Sequence, residues 1–140
     1  MEHDPVNHPA HYCAYKREVI ELTRYLDFTV GNAVKYILRA PFKGNYLQDM
    51  QKALWYIHDK NTQKESTVPY YAHVVAEDYG NPIVIALLRA LPVSRQDCAT
   101  AEVEARLKVV EAMIQKALLE YEIKELEAKR KELTSGISRA

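Results

Sequence analysis

The sequence predicts an all-α fold, and three observations carry that prediction. Residues 29–40 and residues 46–61 each place apolar side chains at the three- and four-residue spacing of one helix face. Residues 100–135 continue without a proline or a glycine for about ten helical turns. We therefore expect an N-terminal three-helix core, a helical middle segment and a long C-terminal helix.

The composition is that of an ordinary globular protein of 140 residues, with 48% apolar and 27% charged residues. The 19 Lys and Arg residues balance the 19 Asp and Glu residues, so no overall field draws the chain to DNA or to an anionic membrane. Cys13 and Cys98 are too few for a disulfide framework and fit a reduced cytosolic setting. The N-terminus does not resemble a signal peptide, and no apolar run approaches the roughly 20 residues of a membrane helix. We expect no membrane partner.

The first three helices are predicted at residues 16–28, 29–40 and 46–61. Pro41 ends the second helix because proline has no backbone N–H and clashes with the preceding turn. Each helix has an apolar face that the other two could bury as a small bundle. These faces consist of Val19, Ile20, Leu22, Tyr25 and Leu26, then Val30, Val34, Ile37 and Leu38, then Leu47, Met50, Leu54 and Ile57.

The opposite face of the second helix is basic and polar. It consists of Asn32, Lys35, Tyr36 and Arg39, and Lys43 continues it beyond Pro41. The three cations follow one another at i, i+4 and i+8, and no acid lies between Asp27 and Asp49. Neighbouring cations repel one another unless an anion lies between them, and this face is chemically suited to hold a phosphate. The alternative is a solvated Lys/Arg face without a ligand.

The N-terminal loop contains His8, His11 and Cys13 within six residues. A metal site here would take a fourth ligand from His58, His73, Cys98 or water, but the spacing is not a recognised zinc pattern. The other interpretation is that the histidines fix the loop by hydrogen bonds or donate to an anionic ligand. We favour the second interpretation and expect no metal.

The middle of the chain is predicted as a polar linker at 62–68, followed by two short helices. The first spans residues 69–79 and ends at Gly80, and Asn81 and Pro82 are suited to start the next. Residues 83–91 are almost entirely apolar and are compatible with a buried helix or a buried strand. The helical context favours the helix.

The long C-terminal helix is predicted from Thr100 to Ser135, with Gly136 as its stop. A helix of this length, roughly 50 Å, exceeds the diameter of the domain available to pack against it. We therefore expect a homo-oligomer that covers the distal half in a coiled coil or bundle. The alternative is a solitary exposed helix stabilised by ion pairs such as Glu120–Lys124 and Glu125–Lys129. The chain thus divides into residues 1–61, 62–99 and 100–136.

Several motifs within residues 1–61 occur in a distinctive order. They are VNHPAHY at 6–12, EVIE at 18–21, GNAVKYILRA at 31–40, KGN at 43–45 and DMQKALWYI at 49–57. Together they resemble the SaV-like family of small bacteriophage proteins, long catalogued as a domain of unknown function. The resemblance covers about residues 4–60. It implies a phage early or accessory protein that acts in the host cytoplasm.

Some members of that family are described as phage kinases of deoxynucleoside monophosphates, and others are linked to sensitivity to host abortive-infection systems. The resemblance directs attention to His8, His11, Tyr12, Asn32, Lys35, Tyr36, Arg39, Lys43, Asp49 and Lys52. In a nucleotide enzyme or binder, the four Lys and Arg side chains would surround phosphate, and Tyr12 or Tyr36 would stack on a base. Asp49 or a histidine such as His11 would act as base or orient the acceptor.

The chain has no G-x-x-x-x-G-K-[ST] loop and only four glycines, so a kinase here would be of an unusual kind. The cofactor is left open, with ATP and Mg²⁺ as candidates. The second hypothesis is an oligomeric, non-enzymatic factor that binds a host protein or DNA to modulate or counter host defence. Zero net charge disfavours DNA, although a local basic stripe could still bind it.

Overall fold

The computed structural model describes residues 14–42, 44–63, 66–94 and 100–139, and every regular element in these residues is helical. The elements are α1 (Ile20–Thr23), α2 (Phe28–Arg39), α3 (Tyr46–Gln63), α4 (Tyr70–Ala76), a 3-10 turn (Glu77–Tyr79), α5 (Pro82–Ala90) and α6 (Thr100–Arg139). The predicted all-α fold with a long C-terminal helix is confirmed.

The first helix is shorter than the predicted residues 16–28 because Asp27 leaves the helical backbone to cap α2. Asp27 is extended, with φ −66° and ψ 170°, and its carboxylate accepts a hydrogen bond from the Val30 amide at 2.8 Å. Before it, the Tyr25 amide donates to the Leu22 carbonyl at 3.2 Å, a three-residue turn bond. The start of α2 therefore accounts for the early end of α1. The helix also begins later than predicted, at Ile20, and so has only four residues.

Side chains from all six helices share one hydrophobic core. The predicted apolar face of α2 is buried, and α3 packs along it while α6 packs against α3 and α5. The middle segment belongs to this core as well: Val68 is buried, and its amide donates to the Pro92 carbonyl at 2.9 Å. The residues that pack together include Leu22, Val34, Ile37, Leu38, Met50, Ile57, Val68, Ala72, Leu87, Leu88, Leu107 and Ile114.

The connection between α4 and α5 follows the predicted signals. Gly80 ends the 3-10 turn with a left-handed backbone, φ 61°, which glycine adopts without steric cost. The Asn81 side chain then accepts hydrogen bonds from the amides of Ile83 and Val84 at 3.0 and 3.1 Å, and Pro82 fills the first helical position. Residues 82–90 form a helix, as the helical context favoured.

The C-terminal helix α6 has 40 residues and is therefore about 60 Å long. Its first turns are buried through Val103, Leu107, Val110 and Ile114. Farther along, the ring of Tyr121 stacks on Tyr46 at a centroid distance of 4.6 Å. The following turns of α6, with Leu126 and Lys129, line a cavity of about 410 Å³ together with residues 44–47. All residues from 122 to 136 are exposed. Gly136 does not end the helix as predicted; its φ is not positive, and α6 continues to Arg139.

Among the described residues, no helix is both long enough and apolar enough to cross a lipid bilayer.

Candidate functional site

Polar and aromatic side chains of α2 and α3 form one continuous surface, which we call the α2/α3 surface. It consists of Phe28, Asn32, Lys35, Tyr36 and Arg39 from α2 and of Lys52, Trp55 and Tyr56 from α3. The two helices run antiparallel, since ion pairs join the end of each to the start of the other. The polar stripe predicted for α2 is thereby placed beside a polar stripe of α3, which consists of Asp49, Lys52, Tyr56 and Lys60.

Four aromatic rings lie together on this surface. The rings of Tyr36 and Tyr56 are stacked, with centroids 5.9 Å apart and planes 14° from parallel. Phe28 and Trp55 meet Tyr56 edge to face, at 6.3 and 5.1 Å. Phe28 is 78% exposed and Trp55 is 62% exposed, so each presents ring surface to solvent. The stacked tyrosine pair is half-buried and supports the two exposed rings.

Three cations converge on the ring of Tyr36. The Nζ atoms of Lys35 and Lys52 each lie 5.3 Å from the ring centroid, and the Arg39 guanidinium carbon lies 4.8 Å from it. The π-electrons attract each cation and offset part of the mutual repulsion. The structure therefore brings Lys52 of α3 to the cationic row of α2.

Arg39 is also engaged by an acid. Its guanidinium donates to both carboxylate oxygens of Asp49, at 3.0 and 3.4 Å. Asp49 is only 3% exposed, and the Arg39 side chain is 13% exposed. The carboxylate named in the sequence as a possible base is thus held within the helix pair by an arginine. Asp49 also lies in the first turn of α3 and Arg39 in the last turn of α2, where each charge suits the helix dipole.

A second ion pair joins the other ends of the same two helices. The Lys60 ammonium, in a residue only 5% exposed, donates to Asp27 at 2.7 Å, and the Ser66 hydroxyl donates to the same carboxylate. Partial burial raises the pKa of Asp27, but the hydrogen bonds from Lys60, Ser66 and the Val30 amide outweigh it and hold the pKa below its usual value. Asp27 and Asp49, which lie on either side of the acid-free stretch of the sequence, therefore fasten α2 to α3 at both ends.

The remaining predicted site residues fall into two groups. The Asn32 side-chain amide donates to the Phe28 carbonyl at 2.9 Å, which fixes it against its own helix. His8, His11, Tyr12 and Lys43 lie outside the described residues, as does the hypothetical metal ligand Cys13. Within the described part of the chain, no three His, Cys, Asp or Glu side chains are grouped to hold a metal ion.

Sequence reasoning did not identify Phe28, Trp55 and Tyr56 as site residues. A signal for Phe28 was available, since Phe28, Asn32 and Tyr36 follow one another at four-residue steps on one helix face. Tyr56 could be placed on the polar stripe of α3 from the same periodicity. Nothing in the sequence showed that this stripe faces α2 instead of solvent.

The residues that build this surface lie within a region that matches a known protein family. Residues 6–58 match the family DUF3310, described as a protein of unknown function. The matched region contains α1, α2 and most of α3 and amounts to less than half of the chain. Comparison with curated proteins and with solved structures gave no match.

Proposed function

We propose that this chain binds nucleotides on the α2/α3 surface, with Lys35 and Lys52 holding phosphate and an exposed aromatic ring stacking on the base. The observation that supports the proposal is the convergence of three cations on Tyr36 beside the exposed rings of Phe28 and Trp55. Ammonium groups beside stacking platforms are the chemistry by which proteins hold a phosphate and a base together.

The division of roles follows from which groups remain available to a ligand. Asp49 already accepts from Arg39, so Arg39 contributes a locally compensated charge. Lys35 and Lys52 have Tyr36 as a neighbour and no acid within ion-pair distance in the described part of the chain. An incoming phosphate would therefore gain most from the two lysines. Stacking on a Trp or Phe ring contributes about 1–3 kcal/mol per base in comparable sites.

A calorimetric titration tests this proposal. ATP, each deoxynucleoside monophosphate and a short oligodeoxynucleotide are titrated separately, with and without Mg²⁺. We expect saturable binding that Lys35→Ala/Lys52→Ala weakens at least about tenfold, since charge-assisted hydrogen bonds contribute roughly 1.5–3 kcal/mol each. Lys108→Ala, on the exposed side of α6, is the matched control and should bind as the parent does. Saturation by none of the ligands would overturn the proposal.

Arg39→Ala is a poor first variant for this test. It would remove a cation from Tyr36 and at the same time leave the buried Asp49 without its partner. Lost binding could then reflect a disturbed helix pair instead of a lost phosphate contact. The lysine variants avoid this ambiguity because Lys52 is exposed and Lys35 is half-exposed.

The motif resemblance supports placing this activity in a bacteriophage accessory protein that acts in the host cytoplasm. A deoxynucleoside monophosphate kinase activity with ATP and Mg²⁺ would be its catalytic form. Asp49 is buried and paired, and His11 lies outside the described residues. The described residues therefore support binding more directly than phosphoryl transfer. A test for ADP formation with each monophosphate would distinguish a kinase from a binder.

The chain also self-associates in this proposal, through the exposed part of α6. All residues from 122 to 136 are exposed, and four apolar residues between positions 119 and 133 are each more than half exposed. These are Leu119, Ile123, Leu126 and Leu133. Light scattering at micromolar concentration should give more than the monomer mass. A host protein on the same helix is the alternative partner, and it would leave the isolated chain monomeric.

A further inference from the structure

The exposed apolar residues of α6 have the spacing of a coiled-coil seam. Leu119, Ile123, Leu126 and Leu133 are separated by four, three and seven residues, and all are more than half exposed. Between Leu126 and Leu133, Arg130 occupies the position at which the four-and-three spacing would place the next apolar residue. In heptad notation, Ile123 and Arg130 fall at position a, and the three leucines fall at position d. We call these five residues the α6 seam.

The α6 seam lies opposite the side of the helix that packs on the body. Val110, Ile114 and Tyr121 face the body, and at 100° per residue they lie about 160° from the mean direction of the seam. The seam therefore cannot be covered by the core that the same helix already shares. Covering it requires a further helix.

The two ion pairs considered from the sequence for the exposed part of α6, Glu120–Lys124 and Glu125–Lys129, are not formed within 4.0 Å. Glu120 lies 3.9 Å from Lys116 instead. Across residues 122–136, all of which are described, no ion pair lies within 4.0 Å. The side chains of Glu122 and Lys129 are thus available to a partner helix.

We infer that a second copy of this chain covers the α6 seam in an antiparallel two-stranded coiled coil, with Ile123 of each copy opposite Leu126 of the other. This inference rests on the self-association proposed above and adds its orientation and register. The second copy is the fitting occupant because the seam is complementary to itself when two copies are related by a two-fold axis.

Charge decides the orientation. In a parallel pair, Arg130 would face Arg130 and Lys116 would face Lys116 across the interface, because identical a positions meet. Glu122 would also lie beside Glu127 of the second copy, a repulsive pair formed twice by symmetry. Four like-charge contacts within about two heptads disfavour the parallel arrangement.

The antiparallel register removes these conflicts. With Ile123 opposite Leu126, Arg130 lies opposite Leu119 of the second copy, and Lys116 lies opposite Leu133. The long aliphatic stems of both cations can then cover a leucine while their charges reach water. Glu122 lies beside Lys129 of the second copy, and symmetry forms this attractive pair twice. Glu120 lies beside Glu127 of the second copy, and symmetry forms this like-charge pair twice as well, at the outer edge of the interface. The arrangement is still favoured over the parallel one because no two cations meet at the centre of the interface.

The same register also brings the second copy near the cleft between α3 and α6. This cleft has a volume of about 320 Å³ and is lined by Leu54, Trp55, His58, Glu111 and Gln115 among others. In the antiparallel register the end of the second copy's helix runs past Gln115, on the seam side of α6. Trp55, the only tryptophan in the chain, is therefore a natural fluorescent reporter of the assembly.

Cysteine cross-linking tests the orientation in the full-length chain, with Cys13→Ser and Cys98→Ser as the background. Lys116→Cys and Leu133→Cys are oxidised by glutathione disulfide, each alone and then mixed. In the antiparallel register, residue 133 lies about 25 Å along the axis from its counterpart but directly opposite residue 116. A disulfide requires Cα atoms within about 7 Å. We therefore expect cross-linked dimers in the mixture and little in either variant alone.

The outcomes separate this inference from the self-association on which it rests. Rapid cross-linking of each variant with itself would show a parallel pair and would overturn the orientation alone. A dimer that forms no cross-link in any combination would overturn the α6 seam as its interface. A background protein that is monomeric by light scattering would overturn both statements. Leu126→Glu should yield monomer, whereas Ala128→Glu, with the same added charge on the opposite side of the helix, should stay dimeric.

Discussion

Among the ion pairs of the described residues, the pair between Arg39 and Asp49 should be the most sensitive to substitution, because both side chains are largely buried. Asp49 is 3% exposed and accepts from Arg39 at 3.0 and 3.4 Å, of which only the first is a good hydrogen-bond distance. Removing one partner of a buried ion pair costs about 3–5 kcal/mol because the remaining charge is left without a partner. Water reaches part of Arg39, so we expect the lower end, about 3 kcal/mol, for Arg39→Met.

A double-mutant cycle measures this coupling. Arg39→Met, Asp49→Asn and the double variant are unfolded in urea at one protein concentration, because assembly would otherwise shift the apparent stability. The double variant leaves no buried charge unpaired, so its loss should fall short of the sum of the single losses by about 2 kcal/mol. In a thermal scan, Arg39→Met should lower Tm by about 10 °C for a chain of this length.

The pair between Arg17 and Asp78 is the matched control. Its atoms approach to 2.7 Å, closer than in the buried pair, but both side chains are more than a third exposed. Because solvent and salt screen exposed charges, Asp78→Asn should leave the urea midpoint nearly unchanged. Stability losses of Arg39→Met and Asp49→Asn that sum to the loss of the double variant within about 0.5 kcal/mol would refute this reasoning. Arg39 and Asp49 would then contribute to stability independently and not as a buried pair.

Three further predictions follow from the described contacts. The pKa of Asp27 is held low in the folded chain, so its contribution to stability is present above the unfolded value of 3.8 and is lost as the pH falls through the lower folded value; Asp27→Ala should flatten this part of an acid titration followed by circular dichroism. Burial, with the nearby Arg89, lowers the pKa of His73 below 6.5 in the folded chain. The unfolded chain therefore binds more protons, and the free energy of unfolding should fall as the pH drops below about 6.5. His73→Gln should reduce this dependence of stability on pH, and an unchanged dependence would contradict the reasoning. Gly80→Ala should destabilise the chain by about 1 kcal/mol because φ is 61°, whereas at Gly31, where the nearest atom to an added Cβ is 3.7 Å away, alanine should be tolerated in the same urea assay.

Neighbouring cations on α2 and α3 have different roles, since one pair joins the two helices and the other pair is proposed to bind phosphate. Arg39 and Lys60 are cations whose acids lie on the facing helix, and these pairs set the position of α3 along α2. Lys35 and Lys52 lie between these two ion pairs, beside Tyr36. The ion pairs at both ends therefore hold the helix backbones that carry the two lysines in place relative to each other. Preorganisation of this kind lowers the entropic cost of binding a phosphate.

Local sequence patterns determined most of the helical elements of this protein. Helical periodicity placed Asn32, Lys35, Tyr36 and Arg39 together on one side of α2, and the structure keeps them on one surface. The cap at Asn81 and the left-handed turn at Gly80 were recognisable because both depend on a few adjacent residues. Heptad spacing in α6 could likewise be extracted from the sequence alone.

Tertiary packing decided which charges meet and which helices are shortened. The polar stripe of α3 could face solvent or another helix, and periodicity does not distinguish the two; packing turned it toward α2, burying Asp49 and Lys60. Asp27 ended α1 early because one carboxylate both caps α2 and accepts from a lysine 33 residues away. Contacts between distant residues depend on how helices are oriented in space, which a pattern within one helix does not specify. For the same reason, only the packing of α2 against α3 decides that Phe28, Trp55 and Tyr56 lie beside the two lysines.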